Sequence, residues 1–236
     1  GDYDMNDVVI VSRIDRMMSK DGGKVSALTI NWELRAAGTT YDIAGAVQMD
    51  KVQTSDVAGV VSSHEGFGSG AFASRGLDAD SPCAVIPFFN RTEELLSASN
   101  TWKGQPAAAI RKHTTTVTFS QPVDIASVLD SEMNFFIAPK QRTSEIHMPG
   151  YAPTASGIIG KGSFLPSDPY KFFVTEGDQT KNNYMMWALM IPGEFRYPAE
   201  TNDIRGVYEY FMAWASSNGA EHAEWYLESA DAGRIY

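Results

Sequence analysis

Four side chains that carry oxygen ligands lie within the first seven residues. Asp2, Asp4 and Asn6 occupy alternate positions, and Asp7 follows directly. Carboxylates this close repel one another unless an opposite charge lies between them, and Ca²⁺ takes about six to eight oxygen ligands. We therefore predict a cation site, with Ca²⁺ as its natural occupant, formed by Asp2, Asp4, Asn6 and Asp7. A hydrogen-bonded Asx turn without metal is the alternative.

The spacing resembles the start of an EF-hand loop but departs from it twice. Asp7 stands where that loop needs glycine, and Arg13 stands where its closing glutamate belongs. A β-branched run follows at residues 8–11, which is typical of a strand. The sequence therefore predicts an acidic loop that leads into a strand.

Catalytic chemistry has weaker support, and we predict no catalytic residue. A glycoside hydrolase needs two carboxyl groups about 5–5.5 Å or 6.5–9.5 Å apart. The sequence offers loop acids without pairing them: Glu65, Glu145, Glu176, Asp178 and Glu194. Glu145 and His147 fall on one side of a strand-like stretch, which suits either an acid–base pair or a histidine hydrogen-bonded beneath the Pro-Gly turn. The remaining histidines show no metal-ligand spacing.

Two other residues, Trp102 and Cys83, have side chains whose chemical role can be predicted from their neighbours. Trp102 lies in the polar run 100–104, and we predict an exposed aromatic side chain that binds a ligand such as a glycan. Cys83 is the only cysteine, so no intrachain disulfide can form, and its apolar neighbours predict a buried structural thiol.

Composition excludes some partners. The chain has 236 residues, 43% of them hydrophobic, and a net charge of −10. It lacks the basic stripe that a nucleic-acid partner requires. The sequence contains no run of about 18 apolar residues, so it predicts no transmembrane segment.

The elements that must position these residues are mostly strands. Alternation is clearest at 28–35, where Leu28, Ile30, Trp32 and Leu34 share one face. Further strands are predicted at 8–16, 43–49, 57–62, 84–89, 115–119, 133–138 and 185–191. One apolar stripe predicts an amphipathic helix at 204–215. These elements predict a mainly β protein: an antiparallel β-sandwich, jelly-roll-like, forming a single domain over 1–236 with one C-terminal helix.

Several sequence blocks, taken together, resemble the LruC-domain family of bacterial cell-envelope and surface proteins, including those of Bacteroidetes. The blocks are Gly-Asp-Tyr-Asp-Met-Asn-Asp-Val-Val at 1–9, Glu-Ile-His-Met-Pro-Gly-Tyr-Ala-Pro-Thr at 145–154, Thr-Lys-Asn-Asn at 180–183, Trp-Ala at 187–188, Ile-Pro-Gly-Glu-Phe-Arg-Tyr-Pro at 191–198, Phe-Met-Ala-Trp-Ala-Ser at 211–216 and Trp-Tyr at 225–226. They run in order along nearly the whole chain.

The resemblance implies an exported protein at the cell envelope, extracellular or on the outer-membrane surface. An N-terminal lipid signal absent from this sequence would then anchor it to a membrane. We expect a noncatalytic, calcium-stabilised surface module for adhesion or for binding a glycan or protein. Two alternatives remain: a carbohydrate-active enzyme that uses loop carboxylates, and a purely structural module of a larger surface protein.

Overall fold

Strands dominate the computed structural model, which describes residues 3–97, 99–105, 108–157, 173–174 and 184–236. The strands are β1 (Val9–Met18), β2 (Lys24–Ala36), β3 (Ile43–Gln53), β4 (Val57–Ser62), β5 (Cys83–Phe89), β6 (His113–Asp124), β7 (Met133–Pro139), β8 (Ile146–His147), β9 (Phe173–Val174) and β10 (Tyr184–Met185). Two short helices follow, α1 (Ile204–Val207) and α2 (Phe211–Ser216). None of the described helices is long and apolar enough to cross a membrane.

Two antiparallel four-stranded sheets form the framework. The first has the order β1-β2-β6-β4 and the second the order β5-β3-β7-β8. β9 and β10 pair separately as a two-stranded sheet. The predicted mainly β, antiparallel sandwich is confirmed.

The core lies between the two large sheets because alternate side chains of each strand point inward. From β2, Leu28, Ile30 and Trp32 enter one continuous apolar cluster with Val47 and Phe88 of the second sheet. The Trp32 Nε1–H donates to Thr115 Oγ1 at 3.0 Å, which satisfies the one polar group of this buried ring.

The predicted helix over 204–215 is wrong as a single element. Helix α1 ends at Val207, and Tyr208 is extended, with φ −110° and ψ 114°. Tyr208 forms a β-bridge with Ala230, and Val207 O accepts a hydrogen bond from Asp231 N at 3.0 Å. The returning C-terminal segment therefore takes backbone groups that a continuous helix would use.

The apolar stripe of that prediction nevertheless packs into what we call the C-terminal cluster, where Trp214 is only half-buried and the other stripe residues are buried. Its buried members are Met186, Ile204, Val207, Tyr208, Phe211, Ala215, Trp225 and Ile235. The predicted strand over 185–191 is also wrong. Only its first residue lies in a strand, and half-buried Leu189 and Ile191 instead pack irregularly against this cluster. Apolar runs without alternation do not distinguish a strand from such a packed segment.

Candidate functional site

The opening loop divides its side chains between two environments. Asp4 is 3% exposed and Asn6 is fully buried. Tyr3 and Met5, at the intervening positions, pack against the C-terminal cluster. Both have left-handed backbones, with φ of 57° and 54°. The alternation seen in the sequence therefore directs Asp4 and Asn6 away from the cluster that Tyr3 and Met5 contact.

Asn6 has one satisfied and one unsatisfied amide atom. Its Nδ2 donates to Pro198 O at 3.0 Å. Its Oδ1 is buried and has no hydrogen-bond partner among the described residues. The reversed amide would set Oδ1 against the Pro198 carbonyl, which cannot donate, so the hydrogen-bond network favours this orientation. Asn6 Oδ1 is thus a buried acceptor to which the described residues offer no donor.

Asp4 ties the loop to the segment that precedes α1. Its Oδ2 accepts a hydrogen bond from Thr201 N at 3.1 Å. Next to it, Tyr3 O accepts from Ile204 N at 2.9 Å. The loop is therefore fastened through both a carboxylate and its backbone.

Glu200 and Gly38 complete the surroundings of Asn6. A methyl group built on Gly38 would overlap Asn6 Oδ1 and lie 3.1 Å from Glu200 Oε2, so both oxygens flank one point beside the glycine. Glu200 Oε2 also accepts from the Thr101 hydroxyl at 2.6 Å, and Glu200 N donates to Thr101 O at 2.9 Å. We call Asp4, Asn6, Gly38 and Glu200 the oxygen cradle.

The four predicted cation ligands are not all brought together. Asp4 and Asn6 lie in the cradle, the Asp7 side chain is exposed, and Asp2 lies outside the described residues. Glu200 was missed because it lies almost two hundred positions away and belongs to no motif. Within the described ranges, no three His, Cys, Asp or Glu side chains converge as a metal site. A cation here would therefore depend on the Asn6 amide oxygen as well as carboxylates.

Trp102 lies on the surface beside the cradle. Its side chain is 51% exposed, and Thr101, which binds Glu200, precedes it directly. The Tyr236 hydroxyl donates to Trp102 O, and the Tyr236 ring stacks on Tyr197 at 5.5 Å. The predicted ligand-binding aromatic is thus exposed and held by a turn that contacts the cradle.

Glu145 and His147 belong to a buried polar network. Glu145 is 0% exposed and accepts hydrogen bonds from Thr154 N and Thr154 Oγ1. It also forms an ion pair with Arg142, whose guanidinium contacts Asp78 at 3.2 Å. His147 Nδ1 lies 2.6 Å from Asn134 Oδ1, and its Nε2 lies 2.9 Å from Glu145 Oε2. A hydrogen must lie between those last two atoms, because two bare acceptors would repel.

This network has the character of a structural clamp. Burial lowers the pKa of His147 to about 3, opposed by the Asp50 carboxylate and assisted by Arg142. The ring is enclosed, with Asn134 on one nitrogen and Glu145 on the other. Of the other candidate acids, Glu65 and Glu194 are exposed, and Glu176 and Asp178 lie outside the described residues. Burial, followed by Asp50, raises the pKa of the Cys83 thiol, which disfavours a nucleophilic thiolate.

Two histidines without useful spacing in the sequence also meet in the structure. The His64 and His113 rings are 5.0 Å apart, and His113 stacks on Trp32 at 4.7 Å. His64 Nε2 lies 3.3 Å from Glu94 Oε2. Antiparallel pairing of β4 with β6 brings these distant residues together, which a one-dimensional motif cannot show.

Comparisons with known proteins identify a family and a structural neighbour. The profile of the family described as "Domain of unknown function (DUF4842)" matches residues 23–226. A crystal structure described as that of a "Putative lipoprotein from Bacteroides ovatus" superposes with a TM-score of 0.67 at 17% sequence identity. The match covers 100% of this chain and 70% of that one, which supports a shared fold. No curated protein matches the chain.

Proposed function

The chain belongs to the DUF4842 family, and from that premise and its fold we propose that it is a noncatalytic, calcium-stabilised module of a cell-envelope protein. Its role is adhesion, through binding of a glycan or a protein. The fold shared with a Bacteroides ovatus protein described as a lipoprotein supports the envelope location. An envelope lipoprotein is held by a lipid anchor, so the module itself needs no spanning helix.

The buried Asn6 Oδ1 carries the calcium proposal. A buried acceptor without a hydrogen-bond partner costs about 1–3 kcal/mol, and a cation or an ordered water would remove that cost. Two features favour a cation over water: Asn6 Oδ1 and Glu200 Oε2 approach the same side of Gly38, and the buried Asp4 carboxylate binds the backbone N of Thr201, the residue after Glu200. A hard cation prefers oxygen ligands. Ca²⁺ would be held by Asp4, Asn6 and Glu200, with water and Asp2 as further ligands.

The lack of a side chain at Gly38 is a second observation that supports a cation site. Asn6 Oδ1 and Glu200 Oε2 can approach the same side of residue 38 this closely only because it has no Cβ. Gly38 N meanwhile donates to Asn6 O at 3.1 Å and to Asp7 O at 3.2 Å, which fixes the loop against the sandwich. A bound cation would therefore join the opening loop to the segment at 198–204.

A thermal melt tests this proposal directly. A ligand that binds only the folded state stabilises it by about 2.7 kcal/mol at a hundredfold excess over Kd. For a domain of this size that is a rise in Tm of roughly 5–11 °C. The melt is run in millimolar Ca²⁺, in Mg²⁺ and in chelator, on wild type and on Asp4→Asn. Asp21→Asn, at an exposed turn acid elsewhere, is the matched control.

We expect Ca²⁺ to raise the Tm of wild type and of Asp21→Asn, and to have a much smaller effect on Asp4→Asn. Mg²⁺ should act weakly, because it loses its water reluctantly and demands octahedral geometry. If Ca²⁺ shifts none of the three proteins, the loop is a hydrogen-bonded turn and the calcium proposal is wrong.

A further inference from the structure

Strand β1 is the longest edge strand of the two large sheets and the least protected. Those sheets end at four strands, β1, β4, β5 and β8. Strand β8 has two residues, β5 contains Pro87, and the six-residue β4 has a register shift between Val57 and Gly59. Short length, proline and bulges each protect an edge from pairing with another strand. Strand β1 has ten residues, no proline, and register shifts only at its two ends.

The outer side of β1 offers a template for one more strand. Its inner side pairs with β2, and no strand among the described residues pairs with its outer side. Ile10 and Ile14 pack against the core, so the odd-numbered side chains between and beyond them lie on the solvent face of the sheet. In order, that face carries Val11, Arg13, Asp15 and Met17.

The order of these four side chains is complementary to itself. When two copies of β1 pair antiparallel about Ile14, Arg13 of each copy lies opposite Asp15 of the other, and Val11 lies opposite Met17. Directly opposite Cβ atoms are about 4.5–5.5 Å apart, which allows an ion pair. Val11 is 39% exposed and Met17 64% exposed, so their contact removes apolar surface from water.

The charges select this register over its neighbours. An antiparallel pair centred on Arg13 places two arginines opposite each other, and one centred on Asp15 does the same with two carboxylates, which is destabilising. Within each copy, Arg13 Nη2 already lies 2.9 Å from Asp15 Oδ2. Pairing about Ile14 therefore gives four alternating charges. Charges of a single sign would repel a second copy in every register.

We propose that β1 is a homodimer interface, at which two copies of this chain pair β1 with β1 about Ile14 and join their sheets into one of eight strands. A twofold interface needs a surface complementary to itself, which the order of side chains on β1 supplies. This association goes beyond the proposed function and does not depend on the calcium site. Stable interfaces bury about 800 Å² on each partner, more than one strand edge provides, so dimerisation should be weak and concentration-dependent.

Charge reversal across the pair tests the interface. Arg13→Asp and Asp15→Arg each place like charges opposite each other at two points of a homodimer, and we expect each to raise the dimer Kd at least about tenfold. Mixed in equal amounts, the two variants should dimerise with each other, because acidic positions of one then face basic positions of the other. Asp124→Arg makes the same charge change at an exposed position of β6, away from the sheet edge, and should dimerise as wild type does.

Association is measured by light scattering and sedimentation in chelator, at about 0.15 M salt, up to about 1 mM protein. The mass of wild type should rise with concentration from that of one chain towards twice that value, and a thermal melt confirms that each variant is folded. A wild type that stays monomeric to 1 mM refutes the proposal. A dimer that persists in both single variants, as one formed through β4 would, also refutes it, as do folded single variants that stay monomeric when mixed. Chelator keeps these outcomes independent of the calcium proposal.

Discussion

Gly38→Ala is the sharpest test of the oxygen cradle. The new methyl group would overlap Asn6 Oδ1 and lie 3.1 Å from both Asn6 O and Glu200 Oε2. Two of these atoms belong to backbone or to a fully buried side chain, so they cannot move freely. The substitution should therefore act as overpacking of a filled site.

The expected loss has two parts. Overpacking a well-packed site costs about 1–3 kcal/mol, which lowers the Tm by roughly 2–12 °C for a domain of this size. That part is present in chelator. The second part is the loss of the Ca²⁺ response, because the methyl group would displace Asn6 Oδ1 and crowd Glu200 Oε2, two of the proposed ligand oxygens.

Gly59→Ala provides the matched control. Gly59 lies in edge strand β4, and a Cβ there would meet nothing within 4 Å. Both variants and wild type are melted in Ca²⁺ and in chelator. We expect Gly59→Ala to retain the full Ca²⁺ shift. A Gly38→Ala protein that is as stable as wild type and equally responsive to Ca²⁺ would refute the geometry described for the cradle.

Two further predictions concern stability and are measured by chemical denaturation. Phe211→Ala should cost about 3–5 kcal/mol because Phe211 is 0% exposed in the C-terminal cluster, and half-buried Trp214→Ala should cost less; equal costs would contradict the packing of α2. Glu145→Ala should cost about 3–5 kcal/mol because it leaves the Arg142 guanidinium poorly compensated. Glu132→Ala, which removes a surface pair with Lys51, should cost no more than about 1 kcal/mol, and a similar loss in both would show that the buried network is not a clamp.

The sequence predicted strands well where one face is buried and the other is exposed to solvent. Leu28, Ile30 and Trp32 alternate with polar residues, and β2 places them in the core. The prediction failed where a distant segment forms hydrogen bonds with backbone groups that a local helix would use. The helix over 204–215 has a correct apolar stripe, but its interruption at Tyr208 depends on pairing with Ala230, which no local pattern encodes.

The candidate site shows the same division. Asp4 and Asn6 could be found because they are close in sequence and alternate. Glu200, Thr101 and Gly38 could not, because each is an ordinary residue that gains its role only from long-range contacts. The exposure of Trp102 followed from its polar neighbours, whereas its proximity to Glu200 required the fold.

The long reach of the loop contacts has a kinetic consequence. The Asn6–Pro198 and Asp4–Thr201 hydrogen bonds join residues 192 and 197 positions apart. Contacts that close such long loops form only after most of the entropy of the chain has been lost. Such contacts should be absent from the folding transition state, so they would slow unfolding without speeding folding. A cation bound there would bind only after the rest of the chain has folded, and it would lengthen the lifetime of the folded state.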